Sequence, residues 1–455
     1  MTRHVSALLV GGGISGLVCA YALRKARIDA QLIEASPRPG GVINSVTRNG
    51  FLLELGPQSF SSAPSLQDLC HELGIENQIL VAPRAPRFVL IDGSLRPVPM
   101  SPPAFFTSSF VSVKTKWSIL RDAFGRSVPP ANDETVAAFV RRKFTPELLE
   151  KLVGPFISGI YAGDPEKLSL GAAFPQLHDA ETQAGSVVRG LVRLGKQLKQ
   201  SGRPRRTLLT FREGNETIVR ALANKLGSAL HTGTKVADIS RQNEGTFQVS
   251  LQNRTGSESI STKSLILATP TDITAKLLCQ LDSSFESPLS SIDYAAVAVV
   301  SLSYRKQDIG HELEGFGFLV PRSAGLRVLG SVWNSSLFPG RAPEGHALLT
   351  SFVGGTTDPA ATKLKPEELV SLVHREIFPV LSIKCDPLFS NVTIWPRALP
   401  QYNLGHGDRL AAVAKSCSRF PGLWLTGNYL RGPAIGSCVD QALAVAEEVR
   451  SHLAT

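Results

Sequence analysis

The hydrophobic pattern at the start of the chain predicts a strand, a turn, a helix and a second strand. Residues 6–10 form a short apolar run, and apolar residues then recur at helical spacing from Leu17 to Arg27. A second apolar run, Ala30–Ile33, ends directly at Glu34. This order of elements is typical of the βαβ unit that binds dinucleotides.

Glycines occupy the predicted turn between the first strand and the helix. Gly11, Gly13 and Gly16 have the spacing G-x-G-x-x-G, which permits a sharp turn, close approach of a pyrophosphate and close helix–strand packing. The helix N-terminus offers free amide hydrogens to phosphates. Glu34, 23 positions after Gly11, would accept hydrogen bonds from ribose hydroxyls. We therefore predict dinucleotide binding rather than a secretory signal, since three consecutive glycines follow and no cleavage site is evident.

The later part of the chain does not continue the βαβ pattern of its start. It predicts a helical stretch, an antiparallel sheet and, near the C-terminus, a second helix whose N-terminus faces a ligand. Residues 83–206 begin proline-rich and become helical in periodicity from Thr135 to Leu152. Alternating runs in 292–353 predict an antiparallel sheet, covered by a helix at 367–378. Near the end, an apolar strand at 422–428 precedes a long helix that follows Gly432–Cys438. We expect both chain ends to meet at one long cofactor.

Composition narrows the class of protein. A chain of 455 residues suggests two or three domains, and 43% apolar with 19% charged residues is ordinary for a soluble globular protein. Six scattered cysteines without C-x-x-C predict a reduced, cytosolic setting with no metal site and no disulfide framework. No apolar run approaches the roughly 20 residues of a membrane-spanning helix.

The positive charge is concentrated in the middle of the chain. The net charge is +10, which suits nucleic acid, a membrane surface or an acidic substrate, but no nucleic-acid-binding motif is present. Residues 186–206 contain no acidic residue, and apolar residues run between the basic ones. This pattern favours a basic amphipathic helix on a membrane surface or, equally, a solvated basic face whose leucines pack on the core. The basic residues are Arg189, Arg193, Lys196, Lys199, Arg203, Arg205 and Arg206.

Two further segments have the residue types of turns that contact a ligand. Arg38-Pro39-Gly40-Gly41 combines a cation for phosphate with glycines that let the backbone pass close to a ligand. It is similar to the R-x-G-G element of amine-oxidase-type flavoproteins, which usually continue with an arginine where this chain has Val42. The turn Leu55-Gly56-Pro57-Gln58 ends a predicted strand and could lie against a flat ring.

With these residues in place, the chain resembles the oxygen-dependent, FAD-containing protoporphyrinogen oxidases over nearly its full length. The glycine motif is shared by many flavoproteins, whereas Phe316–Pro321 and Pro400–His406 are far more specific strings. The other segments that carry the resemblance are Gly11–Gly16, Leu55–Pro57, Arg87-Phe88, Tyr161–Asp164 and Gly427–Cys438.

The resemblance implies an α/β plus α+β fold with three parts. A Rossmann-like FAD-binding domain would be assembled from residues 1–82, 207–270 and 400–455. A substrate domain with a mixed or antiparallel sheet would span 271–399. A mainly helical membrane-association insertion would span 83–206.

The resemblance also implies FAD and assigns its contacts. No histidine or cysteine stands out as an attachment site, so we expect the FAD to be noncovalent. The phosphate turn would face the pyrophosphate, Glu34 the ribose, and the backbone of Val236 the adenine, while the 55–58 turn would line the flavin. Segments near the C-terminus would cap the flavin and ribityl side. The implied contact residues are Gly11, Gly12, Gly13, Ile14, Ser15, Gly16, Glu34, Arg38, Gly41, Leu55, Gly56, Pro57, Gln58, Val236, Asn428, Pro433, Ala434 and Ile435.

For the substrate, the resemblance implies a porphyrinogen. Arg87 would meet a propionate, Leu319 and Phe352 would sandwich the ring, and Gly163 would lie in a turn beside it. Without the resemblance, Arg87 would be interpreted as a surface arginine, and Leu319 and Phe352 as ordinary core residues. The flavin would carry the redox chemistry in three two-electron cycles, each closed by molecular oxygen with release of hydrogen peroxide. We expect no obligatory side-chain acid or base, and a structural role for His406.

The implied protein is cytoplasmic, bound peripherally to the inner face of the membrane, has no nucleic-acid partner, and could form a homodimer. Three alternatives stay open. The same fold could oxidise coproporphyrinogen III to coproporphyrin III. It could be an amine oxidase or carotenoid desaturase, which the missing arginine at position 42 and the Pro400–His406 string disfavour. It could also be a flavin-free binding or assembly protein.

Overall fold

A computed structural model describes residues 2–200, 207–242, 245–254 and 256–454, so Arg203, Arg205 and Arg206 of the basic stretch lie outside the described residues. The strands are β1 Thr2–Val10, β2 Ala30–Ile33, β3 Ser45–Arg48, β4 Phe51–Glu54, β5 Phe60–Ser61, β6 Ile79–Val81, β7 Arg87–Ile91, β8 Ser94–Pro97, β9 Leu208–Phe211, β10 Leu230–His231, β11 Lys235–Arg241, β12 Phe247–Asn253, β13 Gly256–Leu267, β14 Tyr294–Arg305, β15 Gly317–Leu319, β16 Val328–Trp333, β17 His346–Gly354, β18 Phe389–Pro400 and β19 Leu423–Leu425.

The α-helices follow the same chain order, and a π-helical turn at Leu149–Val153 lies between the sixth and seventh. They are α1 Ile14–Lys25, α2 Pro64–Leu73, α3 Pro102–Thr107, α4 Val113–Phe124, α5 Val136–Lys143, α6 Pro146–Leu148, α7 Gly154–Tyr161, α8 Leu170–Ala173, α9 Pro175–Ala184, α10 Val187–Gln200, α11 Glu216–Leu226, α12 Thr271–Leu278, α13 Glu286–Ser290, α14 Asn334–Leu337, α15 Pro366–Val380, α16 His406–Cys417 and α17 Ile435–Ala454.

The first large sheet joins strands from three distant parts of the chain. Its order is β10-β2-β1-β13-β12-β11, with β19 also paired to β13. β1 runs parallel to β2 and β13, and its apolar residues are buried on both faces, as central parallel strands require. Leu9 packs with α1 and α17 on one face, whereas Leu8 and Val10 pack toward β12 and α16 on the other. The expected assembly of a dinucleotide-binding sheet from separated segments is confirmed.

The second large sheet has the order β18-β14-β17-β16-β15-β7-β8. All neighbouring strands run antiparallel except β15 and β7, so the sheet is mixed. Leu369, Val373 and Ile377 of α15 pack against one of its faces. The opposite face carries residues that the sequence predicts to bind the substrate, which are described below.

The first part of residues 83–206 contains two strands that the sequence did not predict, although the described remainder of this stretch is mainly helical. β7 and β8 form a hairpin around Asp92-Gly93, where both residues have positive φ (50° and 73°), and this hairpin joins the second sheet. Asp-Gly between two alternating runs is a strong hairpin signal, and it accounts for these two strands. The helix predicted from Thr135 to Leu152 is also divided, because Thr145 caps a new helix that begins at Pro146.

From α3 to α10 the chain is helical, and a buried ionic cluster joins its helices. Lys143 Nζ on α5 lies 2.5 Å from Asp122 of α4 and 3.3 Å from Glu181 of α9. Within the described residues, no helix is both long and apolar enough to cross a bilayer. This region nevertheless exposes many large apolar side chains: Met100, Phe106, Val113, Trp117, Phe124, Val128, Phe156, Ile160, Leu191, Val192 and Leu198.

Candidate active site

The glycine turn between β1 and α1 is tight and open at its outer side. Gly11 has φ +106°, and a Cβ there would stand 2.6 Å from the carbonyl oxygen of Ala268. A Cβ on Gly16 would stand 1.9 Å from the Gly11 carbonyl oxygen, so only glycine allows this packing. A Cβ on Gly13, the N-cap of α1, would meet nothing within 4 Å. Space for a phosphate therefore lies directly over the amides of the first helical turn.

Glu34 connects the glycine turn to the strand that carries Val236. Its carboxylate accepts hydrogen bonds from the amides of Gly12 (2.6 Å) and Ser36 (2.7 Å). Its backbone carbonyl accepts from the Thr234 amide at 3.0 Å, two residues before Val236. The acid expected to contact the ribose is therefore hydrogen-bonded to the segment that leads into β11, the strand that carries the expected adenine contact Val236.

The Arg38–Gly41 loop stands beside the phosphate turn. A Cβ on Gly41 would lie 3.7 Å from the Cα of Gly13. The Arg38 guanidinium donates to three carbonyl oxygens of its own loop, the closest being Gly41 at 2.6 Å, and lies 4.0 Å from the carboxylate of Glu216. Arg38 therefore shapes the loop that borders the expected phosphate position.

The N-termini of α1 and α17 meet. Leu17 and Val18 of α1 pack in one buried cluster with Val439 of α17, and burial raises the pKa of the neighbouring Cys438 to about 11. Gly436 packs so tightly that a Cβ would stand 2.9 Å from the Cβ of Ala63. The expected convergence of both chain ends is confirmed, and two helix N-termini with their partial positive charges share one region.

The loop that leads into α17 is held by the Pro400–His406 string. Tyr402 is fully buried, and its hydroxyl donates to the Asn428 carbonyl (2.5 Å) and accepts from the Gly432 amide (2.6 Å). The His406 ring stacks on Tyr402 with centroids 4.3 Å apart, and its Nε2 donates to the Tyr429 carbonyl at 2.9 Å. Burial lowers the pKa of His406, so the ring is neutral with its proton on Nε2.

The turn expected to line the flavin packs against the Arg38–Gly41 loop and β18. A Cβ on Gly56 would stand 2.0 Å from the Val42 carbonyl oxygen, so this position requires glycine. The Leu55 carbonyl accepts a hydrogen bond from Trp395 Nε1 at 2.6 Å. Gln58 is buried, and its side-chain amide bonds to backbone carbonyls of the turn and to Asn334. Gln58 therefore holds the turn in shape.

A cavity of about 520 Å³ is lined by the loop that contains Arg38, Gly41 and Val42 and by residues of β18. Its three lining residues on β18 were not predicted from the sequence, although they lie only a few residues before the Pro400–His406 string. Its glycine, arginine and aromatic lining fits the middle of an FAD molecule. The lining residues are Ser36, Arg38, Gly41, Val42, Trp395, Pro396 and Arg397.

Two of the predicted substrate residues lie in one row across the second sheet. Leu319 on β15 pairs with Gly330 on β16, which pairs with Phe352 on β17. Directly paired residues point to the same face, so the two large side chains flank a position without a side chain. Leu319 leans to within 3.1 Å of where a Gly330 Cβ would stand. The same row ends at Thr393 on β18, two residues from Trp395.

The C-terminal end of α7 covers this row. Leu319 contacts α7 at its mid-helix glycine, and Phe352 packs with Ala162, the left-handed residue (φ 46°) that ends the helix. A Cβ on Gly163 would stand 2.7 Å from Oε1 of Gln401, a buried oxygen without a hydrogen-bond partner among the described residues. Gly163, Leu319 and Phe352 are therefore brought together around one helix end.

Arg87 lies at the edge of the same face. It is exposed at the start of β7, and its guanidinium covers the Phe316 ring at 5.2 Å. Val89, two residues later and so on the same face, pairs with Leu319. The predicted carboxylate-binding arginine thus shares a sheet face with the predicted ring-binding residues.

Comparison with known proteins decides the family. The model of the flavin containing amine oxidoreductases matches residues 14–450. The chain belongs to that family. This flavin containing amine oxidoreductase is 36% identical to protoporphyrinogen oxidase 1, chloroplastic, of Arabidopsis thaliana, over 99% of this chain and 89% of the relative. It is 29% identical to coproporphyrinogen III oxidase of Bacillus subtilis, over 99% of this chain and 98% of the relative.

Solved structures show the same fold. A protein from Exiguobacterium sp. 255-15, provisionally named protoporphyrinogen oxidase, superposes with a TM-score of 0.82 at 25% identity, covering 99% of each chain. Putrescine oxidase superposes with a TM-score of 0.72 at 18% identity, covering 99% of this chain and all of the other, which shows the fold alone. The expected kinship to protoporphyrinogen oxidases is confirmed, and the protein is an FAD-dependent oxidoreductase.

Proposed function

We propose that this protein oxidises protoporphyrinogen IX to protoporphyrin IX with molecular oxygen, releasing hydrogen peroxide, in tetrapyrrole biosynthesis. The observation that carries this proposal is the shared sheet face of Arg87, Leu319 and Phe352, which leads along one row toward Trp395 and the flavin turn. An apolar face with a cation at its edge suits a flat macrocycle with carboxylates. Relatives named protoporphyrinogen oxidase at 35–36% identity support this substrate class.

The residues of the chain divide the work between holding the cofactor and placing the substrate. FAD, when bound, supplies the two-electron acceptor, and forming the aromatic ring requires three such steps. The amides of α1 would hold the pyrophosphate, and the 55–58 turn with the 428–435 loop would enclose the flavin. Arg87 would bind a propionate. His406 has its Nε2 proton engaged by the Tyr429 carbonyl and contributes to the loop rather than to proton transfer.

Product analysis tests the substrate assignment. Purified protein is supplied with protoporphyrinogen IX or coproporphyrinogen III in air, and the porphyrin and hydrogen peroxide are quantified against a protein-free autoxidation control. We expect the larger kcat/KM for protoporphyrinogen IX. A larger value for coproporphyrinogen III would replace the proposed substrate, while turnover of neither would remove the function.

Coproporphyrinogen III, which has four carboxylates, is the second candidate. The observation in its favour is full-length similarity: coproporphyrinogen III oxidase of Staphylococcus aureus is 29% identical over 100% of both chains. The putrescine oxidase likeness supports no amine substrate, because it extends to the fold alone.

We further propose that the helical region lies on an anionic membrane surface. Trp117 and Phe124 of α4 are exposed, and α10, which contacts α4 through Asp122, exposes Arg193, Lys196 and Lys199. Apolar side chains beside a cluster of cations suit the headgroup region of anionic lipids. A membrane-bound enzyme would meet a poorly soluble tetrapyrrole where it partitions.

A further inference from the structure

The FAD pyrophosphate brings two negative charges to a site where one arginine is already engaged. Arg38 gives hydrogen bonds to three carbonyl oxygens of its own loop and approaches Glu216. Helix amides bind phosphate but carry only partial charge. Among the residues that line the cavity beside Gly41, the other cation is Arg397.

Arg397 is held close to the phosphate turn by Asp272. Its Nη1 forms an ion pair with Oδ2 of Asp272, in the first turn of α12. That helix begins at Thr271, two residues after Thr269, and a Cβ on Gly11 would contact both Ala268 and Thr269. The Asp272 side chain is 23% exposed and the Arg397 side chain 48%, and of the two only Arg397 lines the cavity.

We propose that Arg397 binds one phosphate of the FAD pyrophosphate and that Asp272 positions it. One edge of the guanidinium is occupied by the carboxylate, and its remaining N–H donors reach into the cavity that Arg38, Gly41 and Val42 also line. Planar arginine donors suit phosphate oxygens. Val42 stands where an arginine follows the glycines in amine-oxidase-type flavoproteins, and Arg397 on β18 supplies a cation to the cavity that Val42 also lines.

FAD affinity tests the proposal without any porphyrinogen, so its failure would leave the proposed function intact. Dissociation constants are measured by titrating FAD into the full-length protein stripped of cofactor, and release is followed by the FAD fluorescence that appears when holoenzyme is diluted. ADP-ribose, which has the pyrophosphate but no isoalloxazine, is used as a competitor. We expect Arg397→Gln to weaken FAD and ADP-ribose equally, by about 10- to 100-fold.

A matched control comes from a second exposed ion pair. Arg419 pairs with Asp282 at 2.7 Å, with side-chain exposures of 52% and 24%, close to those of the Arg397 pair. Arg419→Gln should leave both affinities within twofold of wild type. Asp272→Asn should give a smaller loss than Arg397→Gln. The double variant Val42→Arg/Arg397→Gln should recover most of the lost affinity, because position 42 lines the same cavity.

Three results would overturn the proposal. If Arg397→Gln binds FAD within twofold of the wild-type affinity, Arg397 does not contact the cofactor. If the variant loses affinity for FAD but keeps its affinity for ADP-ribose, Arg397 contacts the isoalloxazine and not the pyrophosphate. An unchanged FAD affinity with a raised KM for a porphyrinogen would assign Arg397 to a substrate carboxylate.

Discussion

At His406, burial and hydrogen bonding determine the protonation state. Burial lowers the pKa of His406, the nearby Arg409 acts in the same direction, and the bond to the Tyr429 carbonyl opposes them. The folded state therefore binds fewer protons than the unfolded state, where the pKa of histidine is about 6.5. The stability contributed by neutral His406 is present above that pH and is lost as the pH falls through it.

We expect His406→Phe, which keeps the stacking on Tyr402 but cannot titrate, to show a smaller drop in thermal midpoint than wild type between pH 7 and pH 5. His406→Ala should unfold more easily, yet its FAD-loaded fraction should be reduced by porphyrinogen within about tenfold of the wild-type rate. Anaerobic stopped-flow absorbance measures that rate. A loss of several orders of magnitude with FAD still bound would make His406 an obligatory acid or base.

If Arg87 binds a propionate, its substitution should change KM more than kcat. A propionate contact persists from bound substrate to transition state, so Arg87→Ala should raise KM, by about tenfold, more than it lowers kcat. Steady-state kinetics with protoporphyrinogen IX measures both constants. Arg450→Ala, which removes an exposed arginine paired with Glu447 on α17, is the control. A fall in kcat at constant KM would contradict the role.

Residue identity was predictable where the backbone demands one residue type. Gly11, Gly16 and Gly56 are needed because a Cβ would collide with a backbone oxygen, and this need is written locally in the sequence. Trp395 and Arg397 could not be found in the same way, because their function comes from the tertiary pairing of β18 with β14. The contact roles themselves stay predictions.

At the level of elements, hydrogen bonds from the loop before α16 hold the loop before α17 in place. Tyr402, in the loop before α16, binds both Asn428 and Gly432 in the loop before α17. Strands and helices that follow simple periodicity were predicted within a few residues, including β2 and α15. The Asp92-Gly93 hairpin was missed because its turn signal was outweighed by the proline-rich, basic character of the region around it.

We expect Tyr402→Phe to weaken FAD binding by about tenfold and to lower the unfolding free energy by about 1–3 kcal/mol, because the Asn428 carbonyl and Gly432 amide lose their buried partner. FAD titration and denaturant unfolding measure the two effects. Tyr161→Phe is the matched control, since Tyr161 is also buried and its hydroxyl binds the Ala173 carbonyl, away from the loop. Equal loss of FAD affinity in both variants would refute a specific role for Tyr402.

At the scale of the whole molecule, charge and exposed apolar surface coincide. The net charge is +10, and the exposed apolar side chains of α4 and α10 lie among basic ones. Removing three charges with Arg193→Gln, Lys196→Gln and Lys199→Gln should weaken binding to anionic liposomes by about a hundredfold, at about 1 kcal/mol per charge. Liposome co-sedimentation measures this.

The control removes the same charge elsewhere, with Lys225→Gln, Lys306→Gln and Lys363→Gln, and should bind liposomes nearly as wild type does. Equal binding by the two triple variants would defeat the membrane proposal. The predicted homodimer is an independent expectation, which light scattering of the purified protein measures.

α1 and α17 pack together, and the predicted substrate residues Leu319 and Phe352 lie in a row that ends near Trp395, which binds the predicted flavin turn. Anaerobic mixing of the FAD-loaded protein with protoporphyrinogen IX tests this arrangement most directly. The flavin absorbance should bleach as the porphyrinogen is oxidised, then recover when air is admitted. A flavin that stays oxidised with protoporphyrinogen IX and with coproporphyrinogen III, in protein that retains its FAD, would contradict it.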